Sequence, residues 1–103
     1  MTNWYHAGAR GLPVGATVPS SARDWWTYAT SSIEWVRAYA RVWDRSVYLI
    51  EFDSETEPDP DFLPFPGMCV RGEKARILKC VEVTVDMTLA DAEAIGRKYL
   101  RSR

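Results

Sequence analysis

The spacing of apolar residues changes several times along the 103-residue chain, and each change marks an element. Residues 3–6 are short and aromatic and run into Gly8, which predicts a first strand. Gly8, Gly11, Pro13, Gly15, Pro19 and two serines punctuate residues 8–21 and predict a loop. Residues 25–30 are the next extended stretch. Ser31 and Glu34 have the form of a capping box, in which each side chain satisfies the other residue's backbone N–H. Ile33, Val36, Tyr39, Ala40 and Trp43 follow at helical spacing and predict the inward face of that helix. Ser46–Phe52, with Val47-Tyr48-Leu49-Ile50 at its centre, is too short and apolar for an independent helix and predicts a buried strand. Pro58, Pro60, Pro64 and Pro66 interrupt regular structure over most of 53–67. Residues 76–85 predict a strand with Ile77, Val81, Val83 and Val85 on one face. Thr88 and Asp91 then open a closing helix whose apolar positions are Leu89, Ala92, Ile95 and Tyr99. Nothing repeats or divides the chain, and strands outnumber helices. The expectation is a single α+β domain over residues 1–103, not a parallel βαβ series.

Composition narrows the function classes. A domain of this length buries roughly two-thirds of its unfolded surface, enough for a core without staples. Thirteen basic and fourteen acidic side chains leave a formal charge of −1, which gives no general attraction to nucleic-acid backbones. One histidine and two separated cysteines cannot close a zinc site, and no metal is expected. The acidic residues alternating over 51–61 lack the Gly and the loop length of an EF-hand. Cys69 and Cys80 as free thiols fit a cytoplasmic protein, and no apolar run approaches the roughly 20 residues of a membrane span. A monomer is expected. Five Trp, five Tyr and three Phe supply both core rings and rings able to stack on a planar ligand.

Three stretches carry chemistry in a telling order: Tyr5-His6-Ala7-Gly8, then Tyr28-Ala29-Thr30-Ser31-Ser32 before the helix bearing Tyr39, then Glu57-Pro58-Asp59-Pro60. Together they resemble the His-Tyr-acid core of the ADP-ribosyltransferases, and most closely the small bacterial rifamycin ADP-ribosyltransferases. In that group the acid lies in an Asp-Pro step eight residues after a strand-ending glutamate, an interval that Glu51 and Asp59 reproduce. Phe65-Pro66-Gly67 is similar to the Leu/Phe-Pro-Gly that follows. Ala7 stands where the family has Gly, and Gly8 where it has Ser or Thr. Val36 occupies a position that is serine in the poly(ADP-ribose) polymerase branch, which shares the eleven-residue interval from Tyr28 to Tyr39.

The resemblance implies split antiparallel sheets around an NAD cleft, with a few short helices. It implies NAD as co-substrate, with one ADP-ribose transferred to a rifamycin-type molecule, a protein, a nucleic acid end or water. His6 would hold the nicotinamide ribose, and the backbone at Ala7 and Gly8 the carboxamide. Tyr28 and Tyr39 would sandwich the nicotinamide ring, and Asp59 would stabilise the charge that develops on the ribose, with Asp61 as the fallback. Trp25 and Trp26 are candidate acceptor contacts. The alternatives are a toxin-like NAD hydrolase and a non-catalytic NAD-binding or interaction module of the same fold.

Overall fold

The computed structural model describes residues 2–21, 24–60 and 67–100. Six strands and two helices follow in the order β1 (Trp4–Gly8), β2 (Thr27–Thr30), α1 (Ile33–Trp43), β3 (Ser46–Phe52), β4 (Thr56–Pro58), β5 (Cys69–Gly72), β6 (Ala75–Glu82) and α2 (Leu89–Leu100). Every strand pairing is antiparallel, in the spatial order β4-β5-β2-β1-β3-β6. The α+β class expected from the sequence is therefore present. The expected split sheets are instead one sheet, although a narrow one at its middle. β1 pairs with β3 over five positions but with β2 at one only, Tyr5 opposite Thr30.

Alternation of side chains along each strand builds a core on both faces of the sheet. On one face Val18, Ala29, Tyr48, Ile50, Val70, Ala75 and Ile77 are buried, with Trp4, Leu12 and Phe52 packed against them. The 9–18 loop covers this face. It is fastened to β6 by Gly15 N–H to Ile77 O (2.8 Å), Val18 N–H to Ala75 O (2.9 Å) and Ile77 N–H to Ala16 O (2.9 Å). The Tyr48 hydroxyl donates to Ala9 O (2.6 Å) and accepts from Leu12 N–H (3.1 Å), so a fully buried phenol ties the same loop down. Gly72 is required on this face, because a Cβ there would lie 2.6 Å from the Phe52 ring and 3.2 Å from Glu55 O.

On the other face α1 sets Val36 and Ala40 against Val47 and Val85, with Tyr5, Ala7 and Met87 around them. α2 packs on α1 through the edge-to-face pair Trp35–Tyr99 (centroids 5.6 Å apart) and Lys98–Glu34 (3.0 Å). The Thr88 hydroxyl accepts from Asp91 N–H (3.1 Å), the cap expected from sequence.

Four expectations are corrected. α1 is capped by Ser32, whose hydroxyl accepts from Trp35 N–H (3.1 Å), one residue after the predicted Ser31; Glu34 is drawn to Lys98 instead of closing a box. Of the predicted inward face only Val36 and Ala40 are buried. Ile33, Tyr39 and Trp43 are exposed, because a narrow strip of small residues suffices to seat α1 on the sheet. In β6, two register shifts against β3 break the alternation, so Ile77 is buried while Val81 is exposed; the strand ends at Glu82, and beyond it Val83 is exposed and Val85 buried. Within the proline-rich segment, Thr56–Pro58 forms an edge strand on β5, a position that tolerates proline. The Asp61 fallback and Phe65-Pro66 lie outside the described residues.

Candidate functional site

The site is built around the narrow β1–β2 seam. Two positions past the Tyr5–Thr30 pair, Ala7 on β1 and Tyr28 on β2 come level. The Tyr28 carbonyl receives a hydrogen bond there from His6 Nδ1 (2.8 Å). A carbonyl oxygen only accepts, so Nδ1 carries the proton and Nε2 keeps its lone pair. Burial is the main cause that pushes the His6 pKa below its ordinary value, and the nearby Arg45 charge acts the same way; the bond to Tyr28 opposes them. The imidazole is therefore neutral at pH 7. Its Nε2 has no hydrogen-bond partner among the described residues. Nε2 would lie 3.2 Å from a Cβ on Gly8, so a side chain there would press the ring back by a few tenths of an ångström.

Beyond the seam, one register row crosses three strands on the helix face: Tyr28, Arg71 and Glu57. The Tyr28 hydroxyl donates to Asp24 Oδ2 (2.8 Å), and Asp24 Oδ1 accepts from Trp26 N–H (2.9 Å). Burial first, then the bond to Asp24, raises the Tyr28 pKa. Arg71 holds Glu57 through Nε (2.6 Å) and stands 4.3 Å over the Trp26 ring, a cation–π contact. Trp26 is half-buried under Arg71, while Trp25 is 68% exposed.

Asp59 lies one row along. Its N–H donates to Cys69 O (3.0 Å), continuing the β4–β5 ladder beyond Pro58, and Cys69 pairs in turn with Thr30. Alternation puts Asp59 on the same face as Glu57 and Tyr28. Strand spacing of about 4.8 Å separates the β4 acids from Tyr28 by about 10 Å across the sheet. The Cys69 thiol is pushed up to about 11, first by burial and further by the Asp59 charge.

Tyr39 stands on the flank of α1 opposite Arg37. Arg37 reaches β6 through Glu82 (2.5 Å), so the Tyr39 flank is turned toward the β2 side. Tyr39 is 46% exposed and tilts against Trp43 at 6.2 Å.

Strand parity thus puts Tyr28 and Asp59 on the helix face of the sheet, and Tyr39 lies on α1, which packs on that face. His6 projects to the loop-covered face, beside its β3 partner Tyr48, and meets Tyr28 through its carbonyl alone. Arg71 and Asp24 escaped sequence reasoning. Arg71 belongs to a four-residue strand whose register decides its neighbours, and Asp24 acts through a local turn. The buried Thr27 Oγ1 also has no hydrogen-bond partner among the described residues. No family model and no curated protein matches this chain.

Proposed function

We propose that this protein is a mono-ADP-ribosyltransferase that cleaves NAD at the nicotinamide bond and passes one ADP-ribose to an acceptor. The observation that carries the reading is the interrupted β1–β2 ladder. Past the Tyr5–Thr30 pair no further β1–β2 backbone pair forms, and His6 Nδ1–H takes the Tyr28 carbonyl instead; in this reading a carboxamide bonds the β1 backbone there, by the same hydrogen bonds that strand addition uses.

In this reading the nicotinamide ring lies on Tyr28, with Tyr39 as the second wall, and its amide bonds the backbone at Ala7 and Gly8. His6 Nε2 accepts from a ribose hydroxyl. Bond cleavage leaves positive charge on the ribose, as in glycoside hydrolysis. The Asp59 carboxylate stabilises that charge and takes the acceptor's proton. Glu57, already held by Arg71, orders the loop that carries Asp59. Water, a protein side chain, a nucleic acid end and a rifamycin-type hydroxyl are the acceptors this chemistry admits.

One observation favours a second reading, a non-catalytic nucleotide-binding module: His6 and Tyr28 project to opposite faces, and the Tyr28 hydroxyl is already bonded to Asp24. Calorimetry with NAD and nicotinamide, followed by incubation with NAD labelled on the adenylate with and without a rifamycin or cell extract, separates the two. Binding with label transfer supports the transferase; binding without nicotinamide release supports the module; no binding at millimolar NAD removes both.

A further inference from the structure

The geometry points to a second binding site, for a phosphate or diphosphate group, formed by Arg10, Arg41 and Arg45 at the C-terminal end of α1. A cavity of about 240 Å³ opens there, lined by these three arginines with Asp44, Ala40, Thr84 and Val85. That volume is below the roughly 300–1,000 Å³ of pockets for drug-sized ligands, so it suits one charged group and not a whole cofactor.

The three guanidiniums are not equivalent. Arg10 is positioned by Asp44, through Nη2 to Oδ1 (2.6 Å) and Nη1 to the backbone O (3.3 Å). Arg41 is positioned by its Nε bond to Met87 O (2.7 Å), which leaves its terminal nitrogens available. The Arg45 side chain has no hydrogen-bond or ion-pair partner among the described residues. Three positive charges against the single carboxylate of Asp44 leave an excess of two in the lining, the charge of a phosphate dianion. Planar guanidinium forks converging on a cavity are the donor geometry that phosphate oxygens require. The backbone fixes the arrangement: Asp44 takes the left-handed conformation (φ 55°) that ends α1, and Arg45 N–H closes on Ala40 O (2.8 Å).

The site is near the seam. Arg45 lies two residues before Val47, which pairs with Ala7, and β1 alone separates β3 from β2. Two strand spacings of about 4.8 Å and two residues of about 3.3 Å place the Arg45 backbone about 12 Å from that of Tyr28. A free phosphate or diphosphate can fill the cavity, and so can the diphosphate of a dinucleotide whose ring lies at Tyr28; only the second alternative rests on the function proposed above.

Calorimetry at fixed ionic strength tests the site, first with inorganic pyrophosphate on the wild type, Arg45→Ala and, as a charge-matched control, Lys98→Ala. Arg45 is exposed and holds nothing in place, so its removal leaves the fold intact. Pyrophosphate should bind the wild type and Lys98→Ala alike and lose about tenfold or more in affinity in Arg45→Ala. Equal affinity in all three proteins, or none in the wild type at millimolar concentration, would overturn the site. NAD titrated into Tyr28→Ala and Arg45→Ala then identifies the source. Weakening by both substitutions means one dinucleotide spans seam and cavity. Arg45-dependent pyrophosphate binding without any NAD binding means a free phosphate ligand, and in that case the site stands while the transferase reading fails.

Discussion

His6 uses its two nitrogens for different tasks, and substitution can separate them. Nδ1–H holds the Tyr28 carbonyl, while Nε2 has no hydrogen-bond partner among the described residues. His6→Ala should lower the melting temperature by about 4–8 °C, the equivalent of about 1 kcal/mol in a domain of this size. It should also abolish NAD turnover, because the seam and the ribose acceptor are lost together. Tyr28→Phe keeps the ring and removes the hydroxyl's interactions with Asp24 and Arg71, so NAD affinity should persist; Tyr28→Ala should weaken it by about tenfold, as expected for a lost stacking partner. Tyr39→Phe should bind NAD like the wild type, since the role proposed for Tyr39 needs its ring and not its hydroxyl. Calorimetry on the three tyrosine variants checks this order. Equal affinity in Tyr28→Ala would remove the ring from the site.

The elements show which physical signals were readable in sequence. Ser46–Phe52 came out as predicted because its apolar run has only one burial solution, between β1 and β6. α1 was legible in position but not in orientation. Tyr39 and Trp43 have the helical spacing of core residues, yet Val36 and Ala40 do the packing, because close approach to Ala7 and Val47 favours small side chains. The cap moved from Ser31 to Ser32 because adjacent serines are equally able to cap, and backbone geometry chose between them (Ser32 φ −87°, ψ 109°). Ser32→Ala should therefore cost about 1 kcal/mol, and Ser31→Ala much less, as read by thermal melting. β5 was not legible, since four residues with one arginine carry no periodicity, and with it the Tyr28–Arg71–Glu57 row was hidden. The order His6, Tyr28, Asp59 was legible; their distribution over two faces depended on strand parity, which spacing alone does not set.

For the whole molecule, the single histidine makes the pH response simple to assign. An unfolded histidine titrates near about 6.5, whereas in the fold burial lowers the His6 value. The unfolded state thus takes up the proton first as pH falls. The His6 contribution to stability should be complete above about 6.5 and decline below it toward the lowered folded value. Melting temperature followed from pH 7.5 to 5.5 should fall in the wild type and fall less steeply in His6→Gln. The central claim, that this sheet cleaves NAD at its seam, is tested most directly by single-turnover nicotinamide release with Asp59→Ala and Glu57→Ala beside the wild type. The account predicts release by the wild type above a buffer control. It also predicts a loss of about 10²–10³ in rate for Asp59→Ala with an unchanged melting temperature, and a smaller loss for Glu57→Ala. No release by the wild type, or full release by both variants, would contradict it.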